Sequence, residues 1–367
     1  MSYNILGINI SHNGSICVLS DGKIDFFIEE ERISRKKYDN IPLDSLKLIL
    51  EKYTINEIAV AGLSHHFSSQ KHLKAFLELL KIYFPKIPRL SFLHTHHLTH
   101  AASSFYNSGF KKCLNIVIDG NGSILNFESN NDILGEGSET ESVYISKYPS
   151  SINNIYKSII TDSKSFKNNN IIFSPDCTIT KAYRAVTEYL GFHEFEAGKT
   201  MGLSSYGKNN PSIPNFFIKD RVDPKLIPVK DFCGNLNIPP KSTNWHNNPE
   251  KITNFEKDLS WKIQNETQEV VGNLIESSIK ETNLKNICCS GGYFLNCVNN
   301  YYLKKRFPNI KFYFEPISSD AGTSIGAAKL AWYKKSKDKT VSPQKTLYYG
   351  PKYSKKEILK KIDKYLA

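Results

Sequence analysis

Between Tyr3 and Glu29 the chain runs through three short apolar-rich stretches, NILGINI, SICVLS and KIDFFIE, parted by His12-Asn13-Gly14 and by Asp21-Gly22. Apolar runs of this length bounded by Asn-Gly and Asp-Gly predict antiparallel strands joined by tight turns. The apolar spacing then changes. Leu43 to Tyr53 and His72 to Ile82 have helical periodicity, and the short runs Ile58 to Leu63 and Leu90 to Leu93 predict strands between and after them. Strands alternating with helices predict an α/β fold.

Near Asn115 the opening pattern returns. Ile118-Asp119-Gly120-Asn121-Gly122-Ser123-Ile124 can be laid over Ile10-Ser11-His12-Asn13-Gly14-Ser15-Ile16 with both Ile positions and Asn-Gly-Ser identical. A repeat at about a hundred residues is too long for a solenoid unit and predicts two lobes, each opening with a β-hairpin. The expected division is 1–114 for the first lobe and 115–335 for the second, with a polar insertion over about 160–260 carrying one helix, Ile179 to Leu190. Beyond it the pattern predicts a helix from Trp261 to about Lys280, a buried strand from Asn286 to Ser290 and a turn at Gly291-Gly292. A helix from Phe294 to Phe307, a strand from Lys311 to Phe314 and a helix from Thr323 to Tyr333 follow. The lysine-rich tail reads as a linker, so 336–367 is expected to lead into a further domain.

Composition narrows the class. With 40% hydrophobic and 23% charged residues in 367, the chain is globular over most of its length. No apolar run approaches the roughly 20 residues of a bilayer span, and a cytoplasmic protein is expected, with no membrane partner. Seven scattered cysteines without a CxxC pair argue against a disulfide framework and a zinc ribbon. The +12 formal charge comes without an Arg-rich stripe, so it reads as compositional and not as a nucleic-acid surface.

Several residues could carry chemistry. His96 and His100 in HTHHLTHAASSFY stand four apart, so on a helix both imidazoles point the same way, as a metal pair requires. Asp119 ends the apolar strand CLNIVID, and Asp320 lies between FYFEP and AGTSIGAA, both at strand ends that face the crevice in doubly wound sheets. Two histidines with one or two carboxylates suit a divalent transition metal with open positions, Fe²⁺ first, with Mn²⁺ and Zn²⁺ as alternatives. Turn and N-cap roles are the alternative for the two aspartates.

Three strand-following turns, Gly120-Asn121-Gly122-Ser123, Ser290-Gly291-Gly292 and Ala321-Gly322-Thr323-Ser324, together suggest a nucleotide held between lobes, with Asn296 a further contact. Neither GxGxxG nor the P-loop lysine motif is present. His12, in the first hairpin turn, is a candidate general base, the alternative being a solvated turn histidine. Lys199 in EAGKTMGLSSYG is a candidate partner for a phosphate or carboxylate oxygen, the alternative being a surface lysine.

Taken in order, GINISHNGS, HHLTHAASSFY, IDGNGS, GKTMGLSSYG, CCSGGYFLNCVNN and EPISSDAGTSIGAA resemble the motifs of NodU/CmcH-type O-carbamoyltransferases, over residues 3 to about 351. The resemblance implies a two-lobed actin-like (ASKHA) core similar to the Kae1 tRNA-modification enzymes. It implies metal binding by His96, His100 and Asp320, with Asp119 as a ligand or immediate neighbour, adenylate in the Gly-rich turns, and His12 as base. Carbamoyl phosphate and ATP, with Mg²⁺ a further candidate ion, would give a carbamoyl-adenylate. Its carbamoyl group would pass to a hydroxyl of a small molecule, sugar or nucleoside, the metal polarising the carbonyl as a Lewis acid.

Two features depart from that pattern. Asn13 stands where the family usually has Asp, which removes a carboxylate that would orient His12. The family also continues past LYYGPKYSKKEI into a YrdC-like domain that makes the adenylate, of which only about 20 residues are expected here, so the expectation is a transferase half, a split enzyme that needs a separate YrdC-like partner, or a truncated product. The competing readings are an actin-like ATP-dependent kinase, which needs a catalytic Asp and Mg²⁺ but no histidine pair, and a nucleotide-binding module without catalysis. The sequence specifies neither the acceptor nor the oligomeric state.

Overall fold

The computed structural model describes residues 2–61, 70–92, 95–129, 132–161, 166–168, 171–174, 178–213, 215–217 and 251–366. The chain opens with β1 (Asn4–Asn9), β2 (Ser15–Ser20) and β3 (Lys23–Glu29), paired antiparallel. Asp21 and Gly22 have φ of 45° and 83°, the left-handed pair that a tight hairpin turn demands and that Asp-Gly supplies. There follow α1 (Glu31–Ser34), α2 (Leu43–Leu50), β4 (Glu57–Val60), α3 (Gln70–Tyr83), β5 (Arg89–Phe92) and α4 (His96–Ser108). The ends of the predicted strands at Leu63 and Leu93 lie outside the described residues. The five strands form one sheet in the order β3-β2-β1-β4-β5, in which β1, β4 and β5 are parallel.

The second half repeats this plan with additions. It comprises β6 (Lys112–Ile118), β7 (Ile124–Ser129), β8 (Asp132–Lys147), β9 (Ser151–Ile160), β10 (Phe166–Asn168), β11 (Ile171–Ser174), α5 (Ile179–Tyr189), α6 (Ala197–Ser204) and α7 (Asn254–Thr282). After these come β12 (Asn286–Ser290), a 3₁₀ turn (Gly292–Leu295), α8 (Cys297–Arg306), β13 (Lys311–Phe314), α9 (Gly322–Ser336) and α10 (Lys355–Leu366). The eight-stranded sheet has the path β10-β11-β9-β8-β6-β12-β13, with β7 beside β8. Within it β9-β8-β6-β12-β13 reproduces β3-β2-β1-β4-β5: two antiparallel pairings, then two parallel ones. This twice-used topology is the two-lobed actin-like α/β fold.

α4 and α9 lie against each other between the sheets, α4 on β6 and β12, α9 on β1, β2 and β4. Small residues make this close approach possible. A Cβ on Gly326 would lie 1.9 Å from the Thr99 carbonyl oxygen, and one on Gly7 would lie 2.0 Å from that of Ser324. Ala102, Ala327 and Ala328 are all fully buried in one cluster. The helix pair therefore sets the N-terminus of each helix beside the strand-end turns of β1 and β6.

The segment 160–260 differs from its expected irregularity where it is described. It adds β10, β11 and α6 to the predicted helix, and α7 begins at Asn254 instead of Trp261. The earlier start has a local cause: the Thr253 side chain accepts from Phe255 N while Glu256 reaches back to Thr253 N, a reciprocal cap on the first turn. Residues 218–250 of the insertion lie outside the described residues. The tail carries the amphipathic helix α10. Among the described residues no helix is long and apolar enough to cross a membrane.

Candidate metal centre

The end of β6, the start of α4 and the turn before α9 converge on one buried cluster. The Ser123 hydroxyl accepts the His96 N–H at 2.9 Å, so the turn after β6 caps α4 across the sheet. One helical turn then puts His96 and His100 edge to face, ring centroids 4.6 Å apart, with their Nε2 atoms 3.0 Å from each other. Asp320 brings Oδ1 to 3.2 Å from His96 Nε2 and 3.6 Å from His100 Nε2. Asp119 faces His96 Nε2 through Oδ2 at 3.5 Å while its Oδ1 accepts the Gly292 N–H at 2.8 Å. All four side chains are buried, and one ligating atom from each lies within 4.8 Å of the others.

The electrostatics of the cluster are compatible with a bound cation. Burial opposes charge on His96, but Asp320 and Asp119 outweigh it and hold the imidazole well above its usual range. Burial and the charge of Asp320 push the Asp119 carboxyl up, and His96 and His100 reverse this and bring it to about 2. Burial likewise opposes ionisation of Asp320, and the histidines, His96 first, hold it well below the usual carboxylate range. The two imidazole Nε2 atoms face each other at 3.0 Å beside two carboxylates. A divalent transition ion satisfies both nitrogen lone pairs and both charges, so the residues fit the group. His96 Nδ1 has no partner among the described residues.

His12 stands at the rim. Its side chain is 44% exposed, and Nε2 lies 3.5 Å from Asp320 Oδ2, an oxygen that also accepts the Ser11 hydroxyl at 2.6 Å. His12 Nδ1 donates to Asn13 Oδ1 at 2.7 Å, so the amide oxygen of Asn13 performs the orienting that an Asp would perform, without its charge. The Phe195 ring, reaching from the second lobe, sits 5.0 Å from both the His12 and Tyr38 rings.

The Gly-rich turns use much of their backbone internally. The amides of Gly122 and Ser123 bond Glu139, that of Gly292 bonds Asp119, and those of Gly322 and Thr323 bond Ser319 and Asp320. Gly291 is required by its φ of 95° and by the Ile118 carbonyl oxygen, 2.3 Å from where a Cβ would stand. Gly120 differs: nothing lies within 4 Å of its Cβ position, and no partner is recorded for the Gly120 and Asn121 amides among the described residues. The Ser290 hydroxyl donates to the His100 carbonyl at 3.0 Å, and the Thr323 hydroxyl to that of Asp320. Asn296 caps α8 and pairs with Gln264. Lys199 is exposed on α6 and pairs with Glu196 at 2.5 Å.

Sequence reasoning missed Ser11, although the repeat contained the signal, since Ser11 lies over Asp119. It also missed Glu139, which nothing in a polar SETES stretch singled out.

Fold and site together define a two-lobed actin-like protein with a buried His₂Asp₂ cluster and an exposed histidine at its edge. Residues 52–329, well over half of the chain, match the family model described as Carbamoyltransferase N-terminus, and the chain belongs to that family. It is 25% identical to the nodulation protein NolNO of Sinorhizobium fredii over 93% of this chain and 49% of that protein. It is 24% identical to the nodulation protein NolO of Bradyrhizobium diazoefficiens over 70% of this chain and 41% of that protein. The chain spans about half the length of the curated relatives it matches. Among solved structures, full-length HypF in a phosphate- and nucleotide-bound form superimposes with a TM-score of 0.55 at 14% identity, over 90% of this chain and 55% of that one. HypF of T. kodakarensis gives a TM-score of 0.57 at 12% identity, over 90% of this chain and 48% of that one. These two likenesses bear on the fold alone.

Proposed function

We propose that the site transfers a carbamoyl group from carbamoyl-adenylate, itself derived from carbamoyl phosphate and ATP, to an alcohol hydroxyl of a small molecule. The observation that carries this reading is the convergence of His96, His100, Asp119 and Asp320 beside His12 Nε2, in a chain of the carbamoyltransferase family. His96, His100 and Asp320 would hold a divalent transition ion, Fe²⁺ before Mn²⁺ or Zn²⁺, with Asp119 as fourth ligand or as partner to His96. When bound, such an ion polarises a carbonyl as a Lewis acid. Gly120 and Asn121 offer the adenylate phosphate two amides and an unobstructed approach.

The chain's own residues handle the proton. Asn13 fixes the His12 ring so that Nε2 is the accepting nitrogen. The acceptor hydroxyl gives its proton to Nε2 as its oxygen bonds the carbamoyl carbon. The bond from that carbon to the adenylate phosphate oxygen breaks, AMP leaves, and His12 returns the proton to solvent. Burial of the cluster under the strand-end turns keeps water from competing with the acceptor.

The test follows AMP release from supplied carbamoyl-adenylate across a panel of sugar, nucleoside and simple alcohol acceptors, with a YrdC-like domain added in trans to carbamoyl phosphate and ATP as a second arm. Acceptor-dependent AMP release with a carbamate product is expected. Transfer of a phosphoryl group from ATP to an acceptor, with no carbamate formed, would establish the kinase reading instead.

A further inference from the structure

One buried charge pair beside the cluster has no part in the chemistry above. β8 carries Glu139, fully buried, and β9 carries Lys157, 5% exposed, and the two form an ion pair. Glu139 Oε2 accepts two backbone N–H groups, that of Ser123 at 3.2 Å and that of His97 at 3.4 Å. These amides belong to different elements. Ser123 closes the turn that begins at Asp119, and His97 lies in the first turn of α4 between His96 and His100. Gly122 is shaped to the contact, since a Cβ there would lie 2.7 Å from Glu139 Cβ and 2.8 Å from His97 Cδ2. A buried ion pair is costly to desolvate, and apolar residues of similar volume often replace one without loss of stability. Stability alone therefore gives no reason for a glutamate and a lysine here.

Resting on the metal reading above, we propose that Glu139 is a positioning residue for the metal centre. It ties the turn that carries Asp119 to the helix that carries His96 and His100, and so fixes the separation of three of the four ligating side chains. Lys157 supplies the countercharge that lets a carboxylate stand at that buried junction. The Ser123 hydroxyl reinforces the tie from the other side by accepting the His96 N–H.

The experiment measures Co²⁺ binding by chelator competition together with the visible d–d spectrum of the Co²⁺ protein. It compares wild type with E139L/K157M, which keeps the volume and removes the acceptor, and with E139Q/K157M, whose amide oxygen restores a neutral acceptor. E139L/K157M is expected to fold yet bind Co²⁺ about tenfold or more weakly, the scale for a lost outer partner, with shifted d–d bands. E139Q/K157M should recover most of the affinity and the wild-type bands. Equal affinity and spectra for wild type and E139L/K157M would overturn the proposal while leaving the metal reading intact, as would equal losses in both double variants. A wild type that binds no Co²⁺ would overturn both. Amide exchange in the unaltered chain probes the contact without substitution: the Ser123 and His97 N–H groups should exchange slowly, and rapid exchange at both would also overturn the tie.

Discussion

The first strand of each lobe ends in a turn of the same sequence pattern, and the two turns do parallel things until the chain leaves them. Ser15 donates to the Ala321 carbonyl at the start of α9, and Ser123 accepts from His96 N at the start of α4. Ser11 bonds Asp320 and Asp119 faces His96, so each turn grips the opposite helix. Then they diverge. In the first lobe the chain doubles back at once as β2, whereas in the second it runs on as β7 and returns as the long β8, which pairs with β7 and then β6. At the matching position one turn has His12 and the other Gly120, a side chain against an empty space. The repeated turn makes a symmetric clamp that differs at two aligned places, Ser11 against Asp119 and His12 against Gly120, and under the proposed mechanism the second difference would make one side reactive and the other receptive.

If the clamp serves to hold an ion, the largest effect comes from breaking its shared centre. His100→Ala removes a nitrogen donor that no neighbour can replace, and the loss should exceed the tenfold to about hundredfold typical of outer partners. Elemental analysis after anaerobic ferrous reconstitution should find about one divalent metal per wild-type chain and almost none in the variant, with turnover lost in parallel. Equal, near-zero metal in both would remove the basis of the clamp as a metal site.

Changing only the reactive side should leave the centre standing. His12→Ala is expected to keep metal and nucleotide binding while losing about 10²-fold or more in rate, the scale for a positioned general base. Since the His12 side chain is 44% exposed and stands at the rim beside Phe195, the fold should not respond. A variant with unchanged rate would reduce the difference between the turns to a difference of shape.

Much of this was legible in the chain. The hairpin turns, the helix-spaced histidines and the strand-end aspartates depend on local backbone chemistry, which residues such as Asp21-Gly22 announce by themselves. What stayed hidden was set by tertiary placement. Ser138, Glu139, Thr140, Glu141 and Ser142 are all buried in β8 although none is apolar, because the strand has neighbours on both edges and α4 packed over it. Their burial is tolerated because they bond one another's surroundings, Glu141 accepting the Ile179 N–H at 3.2 Å and Glu139 pairing with Lys157. No hydrophobic period can reveal a strand of that kind. α6 was equally hidden, since Gly198 and Gly202 weaken helical propensity while nothing within 4 Å of their Cβ positions gives a packing reason for them.

The receptive side invites a smaller perturbation. Gly120→Val adds bulk where nothing stands within 4 Å, so it should fold normally. It should weaken AMP or ATP binding about tenfold or more, the scale of one hydrogen bond to a charged group. Ligand-dependent melting shifts measure it. Gly291→Val is a poor probe of the same idea, because its Cβ would strike the Ile118 carbonyl and unfolding would mimic loss of binding. A Gly120→Val protein with the full wild-type shift would place the nucleotide elsewhere.

The smallest expected effect separates orientation from charge at the reactive turn. Asn13 accepts from His12 Nδ1 at 2.7 Å, which fixes the ring and leaves Nε2 toward the site. Asn13→Ala removes the acceptor and should lower the rate about threefold to tenfold, near 1 kcal/mol, the net worth of one hydrogen bond. Asn13→Asp keeps an acceptor in place and restores the carboxylate usual in this family, so its rate should stay close to wild type if geometry is what matters. Metal content serves as the control, because residue 13 bonds no member of the buried cluster among the described contacts. A large gain in Asn13→Asp would mean that charge at this position limits the wild-type rate. Indifference to both substitutions would mean that the tilted Phe195 ring, and not the amide, holds His12 in place.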